Sequence, residues 1–370
     1  MSATRQSVWQ ANQLGSEVGS LAGLAAPRPV LLVGNFLSRT ITTRGVGEDL
    51  AEHLMADGWT VFTTSSCPGR IRRLADMFST CWRYRAAYAV AQVEVYSGAA
   101  FVWAELVTSL LRVMRKPYVL TAHGGSLPEF LAAHPSRAHR LFASAACVTA
   151  PSGYLAEEVG KYREGVVVLP NAVDTAACRF RLRDHPAPSL VWLRAYEKIY
   201  RPWLAVHALA ELLCDYPDTT LTIIGPDRHD GSLEQAKQAA RDLGVMDRVD
   251  FLGPIDKKSV PGRLARHDVF LNTTAIDNTP VSVIEAMACG LCVVSTAAGG
   301  IPHLLHHEKD ALLVSANPDG CEIAGAVKRI LEDSSLARAI SLQARHTAED
   351  CSWEAVLPRW ERLLSEQALN

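Results

Sequence analysis

The stretch from Asp268 to Pro302, DVFLNTTAIDNTPVSVIEAMACGLCVVSTAAGGIP, leaves few folds open to this chain. An apolar strand pattern at Val269, Phe270 and Leu271 breaks into the polar run from Asn272 to Thr279. A helix pattern opens at Pro280 and stops at Gly290, and a second apolar strand runs from Leu291 to Ser295. The unit places a polar loop and a helix start at the carboxyl end of a buried strand, where open α/β sheets bind ligands. A helix start offers free N–H groups and partial positive charge, which suit phosphate. Asp277 in the loop and Glu285 on the helix lie eight residues apart. One carboxylate can meet the sugar end of a ligand while the other meets a ribose beyond a diphosphate.

The same alternation runs through most of the chain. Strand patterns fall at 29–34, 59–64, 92–96, 117–121, 145–149 and 165–169, with helix patterns between them. They restart at 190–193, 220–225, 248–252, 269–272, 291–295 and 311–314. Two such series predict two α/β domains, each a parallel sheet flanked by helices. A chain of 370 residues, 48% of them hydrophobic, can bury two cores. The expected layout is a tail at 1–28, a first domain at 29–178, a charged, Pro-containing linker at 179–189 and a second domain at 190–352. A final helix takes 353–370.

Charge narrows the partners. The net charge is −2, but residues 1–185 carry five more basic than acidic side chains and the remainder seven more acidic ones. A basic first half suits a membrane surface or an acidic acceptor. No Lys/Arg cluster is interleaved with aromatics, so nucleic acid is not an expected partner. Residues Arg70 to Val90 read as a basic amphipathic helix with Leu74, Met77, Phe78, Cys81 and Trp82 on one side. Such a helix either lies against anionic lipid or packs that side on the sheet. The longest apolar segment, Ala99 to Met114, is interrupted by Glu105 and Arg112 and falls short of the ~20 residues of a membrane span. It reads as a buried helix.

Nine cysteines and no basic-then-apolar start predict reduced thiols and a cytoplasmic location. Cys289 and Cys292 form a C-x-x-C at the end of a helix pattern, whereas redox pairs sit at helix starts. Asp227, His229 and Asp230 read as a solvated turn, and no metal site is expected.

From Asp277 to Pro302 the chain resembles the E-x7-E region of the retaining glycosyltransferases of family 4, which have the GT-B fold. Asp277, Pro280, Glu285 to Ala288, Gly290, Val293, Val294 and Gly299 to Pro302 carry the match. Asp277 replaces the usual first Glu, Asn278 and Thr279 stand for Gly and Phe, and His303 stands where Glu is common. Pro170-Asn-Ala-Val-Asp174 resembles the family's P-N-G-V-D, which closes the first domain. The resemblance implies two Rossmann-like domains facing a cleft, with the final helix packing back on the first. It implies a nucleotide-diphosphate sugar donor, UDP-sugar by default, with no separate cofactor, and a saccharide or lipid-linked acceptor. Peripheral contact with the inner face of a membrane fits such an acceptor.

The resemblance also assigns residues. His123, in the T-A-H-G context, touches the donor sugar and shares the catalytic role with Asp277. Gly45 and Gly47 match the family's Gly-rich loop loosely, a plain turn being the alternative. Negative charge grows on the departing phosphate and needs a counter-charge. No D-x-D metal triplet occurs in the sequence, so fixed cations and a helix start take that role. Arg194 follows a strand pattern; the family has a Lys five residues later, and here either Lys198 or Arg201 takes its place. The backbone of Asn278, Thr279, Pro280, Val281 and Ser282 is expected to meet sugar hydroxyls and phosphate, and Glu285 the ribose. Two other readings remain: a nucleotide-sugar 2-epimerase, and a non-catalytic nucleotide-sugar-binding protein, favoured by the Asp at 277.

Overall fold

The computed structural model describes residues 29–37, 45–67 and 69–369. The expected tail at 1–28 and most of the first loop, 38–44, lie outside the described residues.

The first six strands of the described residues are β1 (Pro29–Val33), β2 (Thr60–Thr64), β3 (Val90–Val95), β4 (Tyr118–Ala122), β5 (Cys147–Ala150) and β6 (Val167–Val168). The next six are β7 (Ser189–Leu193), β8 (Thr220–Ile224), β9 (Val249–Leu252), β10 (Val269–Asn272), β11 (Cys292–Thr296) and β12 (Leu312–Val314). They form two six-stranded parallel sheets, ordered β2-β1-β3-β4-β5-β6 and β12-β11-β10-β7-β8-β9. The windings differ. The first sheet reverses direction between β1 and β3, the second between β7 and β10. Each reversal opens a crevice beyond the carboxyl ends of its strands.

Strand periodicity builds the layers. Leu31 and Val33 point into one core with Met77, Phe101 and Val107, while Val30 and Leu32 point into another with Leu50 and Trp59. In the second sheet Leu190 and Trp192 face one core and Val191 and Phe270 the other. The Trp353–Leu369 helix lies on the first sheet, with Trp353, Val356, Trp360 and Leu364 buried beside Val30 and Leu32. Trp59 Nε1 donates to Glu361 there at 2.7 Å.

Two expectations change. The basic helix ends at Arg83, not Val90, because the chain turns at 84–87 and Val90 already belongs to β3. It buries Met77 and Cys81, whereas Trp82 is 53% exposed and carries the Arg85 guanidinium over its ring. Trp82 therefore does not share the packed side. The segment 179–189 is also more firmly held than a charged linker suggests. Arg183 is buried, with its guanidinium on the Asp268 carboxylate at 3.3 Å and the His267 carbonyl at 2.8 Å. No helix among the described residues is long and apolar enough to cross a membrane.

Candidate active site

The crevice of the second sheet collects most of the residues singled out from sequence. Arg194 follows β7, and the loop 273–280 follows β10, its neighbour in the sheet. An Arg194 Nη donates to Asp277 Oδ2, and the Asn278 N–H donates to Asp277 Oδ1 at 2.9 Å. Both oxygens of Asp277 are thus engaged, so its carboxylate is turned onto Arg194 rather than standing free. Burial opposes the charge on Arg194, but the Asp277 carboxylate outweighs it and the net shift is upward. The guanidinium also lies over the Tyr200 ring, 4.5 Å from its centre.

The loop rests on Gly299 and Gly300. A Cβ at Gly299, whose φ is +62°, would sit 2.5 Å from the Asp277 carbonyl oxygen. The Gly300 N–H donates to that oxygen at 2.6 Å. The G-G-I-P run is therefore needed for close backbone approach.

Pro280 caps the Val281–Ala288 helix and has no N–H, so it shapes the loop but cannot supply the backbone donor that the sequence expectation gave it. Val281 and Ser282 occupy the first turn, where backbone N–H groups have no carbonyl within the helix. Three buried polar atoms here have no partner: Arg194 Nε, Asn278 Oδ1 and Ser282 Oγ. Such atoms are uncommon in native proteins and mark sites completed by something else. Glu285 is half-buried on the helix, and its carboxyl is pushed up to about 7 by desolvation and the nearby Asp49, against the opposing pull of Lys257 and Arg194.

Of the two residues that spacing offered as the second cation, Arg201 is already engaged. Arg201 donates to the carbonyls of Thr273 (2.9 Å), Thr274 (2.6 Å) and Ala316 (2.8 Å) and to Asn317 Oδ1 (3.1 Å). Its guanidinium is spent clamping two loops, which removes it as a phosphate cation. Lys198 is exposed, and its backbone N–H donates to Asp230 Oδ2 at 2.6 Å. The Asp227–Asp230 turn thus anchors the segment carrying Lys198. Sequence reasoning missed Lys257, whose ammonium reaches across the cleft to Asp49 in the first turn of the Val46–Ala56 helix. The signal was the Lys257-Lys258 pair just past β9, at the same sheet edge.

The Thr279 hydroxyl and carbonyl are engaged by the first domain, which leaves its backbone N–H for a ligand. Its hydroxyl donates to the Pro151 carbonyl at 2.9 Å, and its own carbonyl accepts from Asn171 Nδ2 at 3.0 Å. These bonds latch the donor-side loop to the first sheet's edge. His303 approaches the same edge, its ring 6.0 Å from that of Tyr154.

Across the cleft, His123 follows β4 and stacks on Tyr96, ring centres 5.1 Å apart. Burial pushes the imidazole down to about 4, so it is neutral at physiological pH. Gly45 caps the Val46–Ala56 helix, its N–H donating to Glu48 Oε2 at 2.9 Å. Gly47 leaves room for the carboxyl of Glu94, on β3, which the sequence did not single out; a Cβ there would sit 2.5 Å from Glu94 Oε1.

Two facing parallel-sheet units, with cations and a helix start at one switch point, define a cleft protein of GT-B shape. The profile described as Glycosyl transferases group 1 matches residues 184–347, and that described as Glycosyltransferase Family 4 matches 40–177. The chain belongs to the group 1 glycosyltransferases of family 4. It is 27% identical over 210 residues to a phosphatidylinositol N-acetylglucosaminyltransferase subunit from Arabidopsis thaliana, covering 55% of this chain and 44% of the relative. It is 32% identical over 170 residues to the GDP-mannose-dependent alpha-(1-6)-phosphatidylinositol monomannoside mannosyltransferase of Mycolicibacterium smegmatis, covering 44% of each. The chain thus matches less than half the length of either relative. Among solved structures, the sucrose-phosphate synthase of Thermosynechococcus elongatus superposes with a TM-score of 0.74 at 19% identity, covering 92% of this chain and 98% of that one.

Proposed function

We propose that the protein is a glycosyltransferase that moves a sugar from a nucleoside-diphosphate sugar to a saccharide or lipid-linked saccharide, with retention and without a metal ion. The observation that supports this most is the set of unpartnered atoms, Arg194 Nε, Asn278 Oδ1 and Ser282 Oγ, beside a helix start. A diphosphate supplies anionic oxygens for the guanidinium, the Ser hydroxyl and the free N–H groups. A sugar hydroxyl supplies the donor that Asn278 Oδ1 lacks. Glu285 accepts from the ribose.

In the reaction the bond from the anomeric carbon to the phosphate oxygen breaks and a bond to the acceptor oxygen forms. The acceptor's proton leaves with the departing phosphate. Arg194, Lys198 and the helix start take up the growing negative charge, which is the duty a metal performs elsewhere. Neutral His123 approaches the sugar from the first sheet. Asp277 holds Arg194 and places a negative charge near the anomeric carbon as that carbon becomes cationic. No cofactor is required, because the donor carries its own leaving group.

The lipid-linked acceptor draws support from the exposed Ile71 and Trp82 on the helix that carries Arg70, Arg72 and Arg83, a surface suited to the inner face of a membrane. Each cation near such a surface is worth ~1 kcal/mol. Co-sedimentation with anionic liposomes at low salt is the expected outcome, and its absence would leave that helix as ordinary packing.

The decisive experiment mixes the protein with UDP- and GDP-sugars and follows stabilisation and sugar release. A donor at 100 times its dissociation constant raises stability by ~2.7 kcal/mol. Turnover in EDTA with an α-linked product from an α-linked donor is expected. Loss of activity in EDTA, restored by Mg²⁺, contradicts the metal-free assignment. The closed Arg194–Asp277 pair favours one second reading, a nucleotide-sugar-binding protein without turnover. Stabilisation with no release under any acceptor would establish it.

A further inference from the structure

The switch point of the first sheet lies between β1 and β3, and one side chain dominates it. Glu94 stands one residue beyond the Val33–Val93 pair, at the carboxyl end of β3. Its carboxyl is wedged between two glycines: a Cβ at Gly34 would lie 2.3 Å from Oε2 and one at Gly47 2.5 Å from Oε1. Two cavities meet there. One runs under Met77 and Trp103, the other under the Val46–Ala56 helix towards His123. Each has room for about one water-sized group, so a hydroxyl can enter while the ring bearing it stays in the cleft.

The described groups that line the two cavities at this carboxyl are neutral or negative. Asn35 from the end of β1 donates its N–H at 3.3 Å, Gly47 donates another, and the Tyr96 hydroxyl a third. Glu48 adds a like charge, and neutral His123 faces it across the shared cavity. Met77 and Trp103 close the apolar side, and Arg73 is turned to Asn35 Oδ1 at 2.8 Å. Among the described residues lining either cavity, none is Lys or Arg. A partly desolvated carboxyl with no described cation lining its cavities is costly, and such groups cluster at functional sites. Burial pushes it up to about 7.

We propose that Glu94 is the acceptor-binding carboxyl of this protein: it accepts a hydrogen bond from an acceptor hydroxyl and selects acceptors uncharged at that point over those bearing phosphate or carboxylate. This rests on the glycosyltransferase reading. Glu94 already takes the Gly47 N–H at the helix start, a donor that would otherwise help to hold an anion, and a second anion beside Glu94 meets its repulsion.

The test uses whichever of UDP-glucose, UDP-N-acetylglucosamine or GDP-mannose stabilises the protein. Matched acceptors differ only by phosphate: myo-inositol and its 3-phosphate, glucose and its 6-phosphate, glycerol and its 3-phosphate. Transfer to the uncharged member is expected to exceed transfer to its partner at least tenfold. Glu94→Gln should shrink that preference at least tenfold and raise the acceptor KM while leaving donor affinity unchanged. Tyr96→Phe, which removes one bond to the same carboxyl, should move the acceptor KM in the same direction, with melting curves confirming that both variants fold. A preference for the phosphorylated member, a preference unmoved by Glu94→Gln, or no transfer to any member despite donor binding overturns the proposal. Failure of every donor to bind overturns the glycosyltransferase reading first.

Discussion

The two sheets carry similar elements but opposite chemistry at their switch points. Beyond β7 and β10 the second sheet offers Arg194, a helix start and three unpartnered polar atoms. Beyond β1 and β3 the first sheet offers Glu94, with no Lys or Arg among the described residues that line its cavities. One crevice attracts an anion and the other repels it. A transferase with an anionic donor and an uncharged acceptor needs that asymmetry, because it keeps the donor out of the acceptor's place. Strand order alone does not create it; the residue at the end of each switch strand does.

Arg194→Ala breaks the comparison most severely. A charge-assisted bond of this kind is worth ~1.5–3 kcal/mol, so affinity for a free nucleoside diphosphate should fall by roughly 10- to 150-fold. Calorimetry with UDP and GDP measures it, and unchanged affinity removes Arg194 from the site. Asp277→Asn sharpens the same point in the opposite direction. It frees the guanidinium, so the nucleoside diphosphate should bind a few-fold tighter while kcat falls. If affinity and kcat both stay at parental values, Asp277 serves only to cap the loop.

Glu94→Gln probes the other crevice through pH. The folded-state value of Glu94, about 7, lies above that of an exposed Glu. Its contribution is therefore present in full at low pH and lost as pH rises towards 7. His123 runs the other way: its value of about 4 means stability is lost as pH falls from the ordinary histidine range. Gln does not titrate, so the variant's stability relative to the parent should rise between pH 5 and 8, by at most ~1.4 kcal/mol per pH unit. Urea melts at the two pH values measure the difference. A constant difference would place Glu94 in water and empty the first crevice of its character.

Much of this architecture was legible in the sequence, for a physical reason. Buried parallel strands are short apolar runs, and each of the twelve read from such runs is present. Their spatial order was not legible, because no local pattern says that β3 pairs with β1, or β10 with β7. The pattern of the helix after Gly69 overruns its true end because Tyr84, Ala86, Ala87 and Tyr88 continue it into the turn. Arg201 was placed by spacing, which shows that a side chain is near the site but not that carbonyls already hold it. Glu94 left only a faint mark: one carboxylate in the strand VAQVEV, at the end where ligands bind.

The smallest expected effect concerns the join between the two crevices. Thr279 lies on the donor-side loop, is almost fully buried, and donates to the Pro151 carbonyl of the first sheet's edge. The Lys257–Asp49 pair spans the same cleft, but exposed ion pairs contribute only ~0–1 kcal/mol. The hydroxyl therefore matters at least as much to closure. Val matches Thr in shape and lacks the donor, so Thr279→Val leaves the Pro151 carbonyl without that bond at a cost of about 0.5–1.5 kcal/mol. That cost falls on the closed form alone, since in an open form water replaces the lost partner. Opening shifts by a few-fold to about tenfold, which solution scattering reads as a larger radius of gyration without ligand. Donor release should quicken by a similar factor while the melting temperature of each sheet holds. If scattering and release rate match the parent, the latch is incidental to closure, and the two crevices are held face to face by the buried packing of the Trp353–Leu369 helix and the anchored 179–189 segment instead.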